Sequence, residues 1–237
     1  MDDSLKWERY SALGGGVLFI VLVIASIVIP GSTPKSSDSA TKILKYFHDH
    51  KHSIEVAAFV GGLATLPILW WAGSLWARMR RAEGGQPRLA LIAVLGLVIG
   101  GAGQLVSSGV LSTVALRVDT VGANQARFFF LLSSGAGAAG AVGLAALVLA
   151  TSILAFRTHV FPIWVAWLGV IDAIAFLVGS YAIASTSDTI MAFGFASFIL
   201  WAIWLLALSI IMFRAKPSAA APAPAMNAPV AEPAVGA

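Results

Sequence analysis

Six long apolar stretches, none with a lysine, arginine or histidine in its core, constrain this chain more than any other feature. They run from about 12 to 29, 54 to 77, 89 to 115, 128 to 156, 161 to 184 and 190 to 213, each bounded by charged or turn-forming residues. A helix rising 1.5 Å per residue needs roughly 20 apolar residues to cross the hydrocarbon of a bilayer. The runs are continuously apolar and lack the in-out alternation of an outer-membrane barrel. The sequence therefore predicts an all-α, polytopic transmembrane bundle of six spanning helices. Composition agrees: 11% of the 237 residues are charged, against about 25% in a soluble domain. With 59% hydrophobic residues and no cysteine, extended disorder and a disulfide scaffold are both excluded.

The first span is expected to be retained rather than cleaved. Lys6 and Arg9 precede it, but so do Asp2, Asp3 and Glu8, and its apolar run of 18 residues exceeds the roughly 7–15 of a signal peptide. Basic residues set the expected orientation. With residues 1–11 in the cytoplasm, that side holds Lys6, Arg9, Arg78, Arg80, Arg81, Arg88, Arg157, Arg214 and Lys216. Lys35, Lys42, Lys45, Lys51, Arg117 and Arg127 fall outside. The expectation is a multi-pass protein of the cell inner (plasma) membrane with both termini cytoplasmic. Trp7, Trp70, Trp71, Trp76, Trp164, Trp167 and Trp204 all fall toward one side, with Trp201 nearer the middle; interfacial tryptophan normally marks both faces, so the clustering supports the span count more than the orientation.

Two segments lie outside the spans. Ala40, Ile43, Leu44 and Phe47 recur at helical spacing, which predicts a short amphipathic helix over about 37–52, at the outer interface and capped by Ser37 or Ser39. Residues 217–237 are Ala/Pro-rich, with five prolines and Glu232 as the sole charge, and read as a disordered tail.

Asp172 is the most informative single residue. It falls 11 residues into the fifth span, some 16 Å deep and so near the bilayer midplane. An aspartate there costs roughly 2.5–3.5 kcal/mol on the insertion scale and is expected to face the bundle interior. Ala166, Gly169, Ala173, Phe176 and Gly179 share its helical face and suit close packing. No basic side chain sits at that depth, so the acid reads as a neutral hydrogen-bonding group, a protonatable site or a cation ligand. Gln104 and Thr65 are its expected partners by depth, and a polar layer at mid-membrane would be a usual place for an ion or substrate.

Gly96, Gly100 and Gln104 repeat every four residues, a stripe that lets helices approach. Gly135 to Gly140 formally spell a GxGxxG, but a dinucleotide fingerprint needs a preceding strand, and here the glycines sit inside an apolar helix. Pro67 frees the carbonyl of Leu63 and predicts a kink in the second span.

His48, His50 and His52 form a short tract. On one continuous helix His48 and His52 stand a turn apart and, with Glu55, could hold a divalent metal or sense pH. All four histidines lie outside the spans, which excludes a bis-histidine haem in the bundle. Arg78, Arg80, Arg81 and Arg88 read as contacts to anionic lipid headgroups. No HExxH, GxSxG or P-loop is present. No enzyme activity and no cofactor is expected. Nucleic-acid binding is excluded because the basic excess flanks the spans.

Several elements together resemble a known pattern. Pro30-Gly31 and Pro34 follow the first span, and Ile43, Tyr46-Phe47 and His50 precede the second. Arg78, Arg80 and Ala82-Glu83-Gly84-Gly85 follow it, and Phe161-Pro162-x-Trp164-x-x-Trp167-Leu168-Gly169 opens the fifth. In these the chain resembles the uncharacterised bacterial six-helix integral membrane proteins. The resemblance covers most of the chain except the tail and implies architecture alone. Three functional expectations follow. The first is a non-enzymatic accessory or structural subunit packing with lipid, a partner membrane protein or its own copies. The second is a small proton-coupled secondary transporter using Asp172, with Gln104 and Thr65. The third is an outer-face metal or pH sensor using His48, His50 and His52.

Overall fold

The computed structural model describes residues 3–185 and 187–215. Eight α-helices account for nearly all of them: α1 (Asp3–Val28), α2 (Ala40–Asp49), α3 (Lys51–Leu63), α4 (Thr65–Glu83), α5 (Arg88–Leu116), α6 (Ala123–Thr158), α7 (Ile163–Ser180) and α8 (Asp188–Arg214). A 3-10 turn, Tyr181–Ile183, extends α7, and the described residues contain no strand. Six segments are long and apolar enough to cross a bilayer, with α3 and α4 together making the second. The chain is a multi-pass membrane protein with an all-α bundle. The tail expected at 217–237 lies outside the described residues.

Each crossing has a local reason for its limits. Pro67 has no N–H, and its ring opposes the Leu63 carbonyl, so the second span bends at Ala64. Ala64 still donates to the Val60 carbonyl at 3.2 Å, and Ile68 to the Ala64 carbonyl at 3.4 Å. The fourth span starts earlier than expected, at Ala123, where Gln125 Oε1 accepts from the Gly122 N–H at 3.1 Å. It ends at His159, which takes the left-handed conformation (φ 55°) and donates its N–H to Ala155. α1 also begins early, because nothing between Asp3 and Ala12 breaks a helix and its first turns find partners: Glu8 pairs with Arg81, and Arg9 Nε donates to the Phe213 carbonyl at 2.6 Å. That last bond places the start of α1 and the end of α8 at the same end of the bundle.

Consecutive spans are neighbours, and α1 packs on both α4 and α8, closing a ring in which α6 is the most buried member. At the end where α1 starts and α8 ends, the interior is filled by Trp71, Trp204, Leu75, Met79, Leu147, Leu205 and Leu208, all buried. Trp71 Nε1 donates to Ser209 Oγ at 2.9 Å and Trp204 Nε1 to the Val165 carbonyl at 3.2 Å. This corrects the reading of the tryptophans. Trp7, Trp70, Trp164 and Trp167 are exposed as anchors are, whereas Trp71 and Trp204 are core residues whose N–H groups found acceptors inside.

The tightest joint is between α5 and α6. A Cβ placed on Gly96 would stand 2.5 Å from the Gly143 carbonyl oxygen, and one on Gly143 2.6 Å from that of Gly96. On Gly103 it would stand 2.7 Å from Gly140 Cα. The stripe is thus Gly96, Gly100 and Gly103; Gln104 is turned aside next to Gly137. At the opposite end a second cluster joins α2 to α5 and α6. Ile43 and Phe47 are fully buried against Val114, Ala115, Val118, Ala126 and Phe130. Ser39 caps α2, accepting from the Lys42 N–H at 3.3 Å. The apolar face of α2, expected to meet the lipid interface, is instead a lid on protein.

Overpacking a close-packed site costs about 1–3 kcal/mol or more, and at Gly96 or Gly143 the obstacle is rigid backbone. Gly96→Leu and Gly143→Val should each lower the melting temperature in micelles by several degrees. Gly101→Ala, on a face with nothing within 4 Å, should leave it unchanged.

Candidate functional site

Asp172 lies on the inward face of α7 with Val165, Ala166, Gly169, Ala173, Phe176 and Gly179, all buried. Its own exposure is 0%, and among the described residues neither Oδ1 nor Oδ2 has a hydrogen-bond partner. The small residues of that face explain the depth. A Cβ on Gly169 would stand 2.9 Å from Trp204 Nε1 and 3.3 Å from the Val148 carbonyl, so α6 and α8 both close on α7 there. A buried carboxyl with no partner is among the most costly groups a fold can retain, which makes Asp172 the first candidate for function in the bundle.

The polar layer expected around it does not assemble. Gln104 is exposed on α5, beside Gly137 of α6. Thr65 is half-buried at the first turn of α4. No hydrogen bond joins any two of the three, and α6 lies between α5 and α7 in the ring. Depth alone placed these residues together; their positions around each helix axis separate them.

The basic cluster divides into two roles. Arg78 is half-buried, donating from Nη2 to the Val160 carbonyl at 3.3 Å, with its guanidinium carbon 5.2 Å from the centre of the Phe161 ring. Arg81 pairs with Glu8. These two fasten α4 to the α6–α7 connection and to α1; Arg78 is thereby drawn into the protein, whereas Arg81 stays exposed. Arg80 and Arg88 are exposed and remain free to meet lipid headgroups; Arg88 also reaches Gln86 Oε1 at 3.1 Å. Glu83, not singled out from sequence, accepts from the N–H groups of Leu89 at 2.7 Å and Ala90 at 3.1 Å. It satisfies the open N-terminus of α5 from seven residues upstream. An acidic residue just before a Gly-Gly turn into a helix is the signal that could have found it.

The histidine tract is split. His50 is the junction between α2 and α3, with φ −117° and ψ 18°, so His48 and His52 stand on different helices and lose the one-turn spacing. His48 Nδ1 is 3.7 Å from Asp49, and His52 is 4.0 Å from Glu55. His50 stacks on Tyr46, and its Nδ1 is 3.1 Å from the Tyr46 carbonyl. Among the described residues no three His, Cys, Asp or Glu side chains gather as a metal site. The junction is held by Tyr46, whose hydroxyl donates to the Pro30 carbonyl at 3.3 Å and whose phenol is pushed up by burial. Lys51 reaches Asp119 at 3.4 Å, tying α3 to the α5–α6 connection.

No known protein family, characterised protein or solved structure matches the chain.

Asp38 anchors the start of α2. Its carboxylate accepts from Lys42 Nζ at 2.7 Å and from the Lys35 N–H at 2.9 Å, and these bonds hold it below the ordinary 3.8. A depressed carboxylate contributes stability above its unfolded value and loses it as pH falls through the folded one. The protection factors of the Lys42 and Ile43 amides, with intrinsic exchange divided out, should therefore be insensitive to this group near neutrality and fall only below about pH 4. In Asp38→Asn that acid-dependent fall should vanish.

Proposed function

We propose that the chain is a non-enzymatic accessory or structural subunit of the cell inner membrane, with both termini cytoplasmic, that packs with lipid and with partner helices. The observation that carries this reading is the division of its surfaces. Most buried polar side chains of the spans, Asp172 and Trp201 apart, bond inside the chain: Trp71 to Ser209, Ser74 to the Glu8 carbonyl, Thr151 and Ser152 to their own helix. The outward faces of α1, α5 and α7, by contrast, are rows of exposed apolar side chains such as Val21, Ile24, Leu95, Val98, Ile171 and Ile174. In a bilayer such faces meet acyl chains or another helix. Exposed Arg80 and Arg88, at the end where α1 starts and α8 ends, support the orientation through the positive-inside bias.

Mild-detergent extraction followed by mass measurement should return a particle of fixed stoichiometry heavier than one chain with its detergent. A monomer under every mild condition would overturn the reading. The orientation has its own test, since the chain has no native cysteine. A membrane-impermeant maleimide should label Asp49→Cys on intact cells, and Gln86→Cys only after permeabilisation.

A second reading, a proton-coupled secondary carrier with Asp172 as the protonatable group, is favoured by the unpartnered Asp172 carboxyl. Gln104 and Thr65 have no part in that site. In proteoliposomes loaded with a pH dye, wild-type protein should then move protons at a rate that Asp172→Asn abolishes. Equal rates in the two proteins would remove the carrier from consideration.

A further inference from the structure

Asp172 is not the only buried polar group left open in the interior. Trp201, on α8, is 2% exposed, and its Nε1 has no acceptor. The contrast with its neighbours is direct, because Trp71 and Trp204, buried in the same core, both donate. Among the described residues the other buried side-chain group left open is Arg78 Nε, at the α6–α7 connection, so within the spans Trp201 Nε1 is the donor that stands beside the open carboxyl.

Helix register puts them at the same level of one seam. α7 and α8 are antiparallel neighbours that touch at Gly179 and Gly194, where a Cβ on Gly179 would stand 2.9 Å from Gly194 Cα. Seven residues back along α7 from that contact is Asp172, and seven residues on along α8 is Trp201. A seven-residue step returns nearly to the same side of a helix, so both stay on the seam, at equal distance from the glycine contact. The next contact fits the same register: Gly169, three residues before Asp172, meets Trp204, three residues after Trp201. Trp201 is held in place by Phe19 of α1, edge-on at 5.5 Å, and by Phe198 at 5.6 Å.

A third polar group stands on the same side of α8. Ser197, one turn before Trp201, is 1% exposed; its hydroxyl donates to the Phe193 carbonyl at 2.7 Å, which leaves its oxygen able to accept. A donor, an acceptor and a carboxyl, all shielded from solvent, are the partners that a single buried water requires, typically about three hydrogen bonds.

We propose that Asp172, Trp201 and Ser197 form one buried site on the α7–α8 seam that binds a single water molecule. The water accepts from Trp201 Nε1 and donates to the Asp172 carboxyl and to Ser197 Oγ. The site makes Trp201 a positioning residue for Asp172, and it holds for an accessory subunit and for a carrier alike.

The test is a double-mutant cycle on the full chain in one detergent, with Trp201→Phe removing the N–H and Asp172→Leu removing the carboxyl at similar volume. Trp201→Phe should lower the melting temperature of the wild type by more than that of the Asp172→Leu protein, since the lost ring volume costs both backgrounds alike. Equal losses in the two backgrounds would overturn the shared site, since independent groups add. Infrared spectroscopy supplies a readout that needs no stability difference. Wild type minus Asp172→Asn isolates the Asp172 carboxyl bands and the O–H stretch of the water bound to it; the carboxyl bands should shift in Trp201→Phe and the O–H stretch on exchange into ¹⁸O-labelled water. Carboxyl bands that Trp201→Phe leaves in place would dismiss the pairing, and a spectrum with no O–H band that moves in the labelled water would dismiss the bridge.

Discussion

Backbone touching backbone at Gly96, Gly100, Gly103, Gly140 and Gly143 is the interaction on which the rest of this bundle depends. Helices in hydrocarbon gain little by hiding apolar side chains from lipid that is equally apolar, so association rests on close approach and dispersion. Where α5 and α6 meet, the absent side chains let carbonyls and Cα atoms come within van der Waals range along several turns. With that pair fixed, α6 is held as the most buried span, α7 closes on its other side through Gly169, and α2 docks across the far ends of α5 and α6 through Ile43 and Phe47.

The two ends of the bundle are held by different means. At the end where α1 starts and α8 ends, long-range polar contacts dominate: Arg9 to Phe213, Arg81 to Glu8, Arg78 to Val160, Ser74 to Glu8. Each joins segments far apart in sequence, so together they fasten the ring where it closes. At the α2 end the fastening is chiefly apolar, with Lys51–Asp119 and the Tyr46–Pro30 bond at its margin. Asp172 belongs to neither set. It sits on the α7–α8 seam between glycine contacts that keep those helices close, and its lack of a partner inside a well-packed core is the chief physical anomaly of the fold.

Much of the architecture could be read before any coordinates, for local reasons. Pro67 implied the bend at Ala64 because a missing N–H and a ring clash act on the next turn alone. Ser39 was one of two candidate caps, and Ile43 and Phe47 declared their shared face by spacing. Asp172 was expected to face inward because the alternative is a carboxyl among acyl chains. The errors share one cause. Gln104 and Thr65 were matched to Asp172 by depth, and Trp71 and Trp204 were matched to the interface by depth. Depth follows from counting residues along a span, whereas direction around the axis depends on which neighbour a helix meets. The histidine tract failed differently: its spacing was right for a continuous helix, but the chain turns at His50.

The sequence alone determined that this chain crosses a bilayer six times, because about 20 apolar residues per crossing is set by the thickness of hydrocarbon and can be counted. It determined as well that one acid would be buried at mid-depth. Only the tertiary structure decided its surroundings: the α7–α8 seam, at the level of Trp201, with Gln104 and Thr65 elsewhere. The reason is that helix rotation and neighbour choice come from glycine-to-backbone fit between elements far apart in the chain, and no local pattern records it.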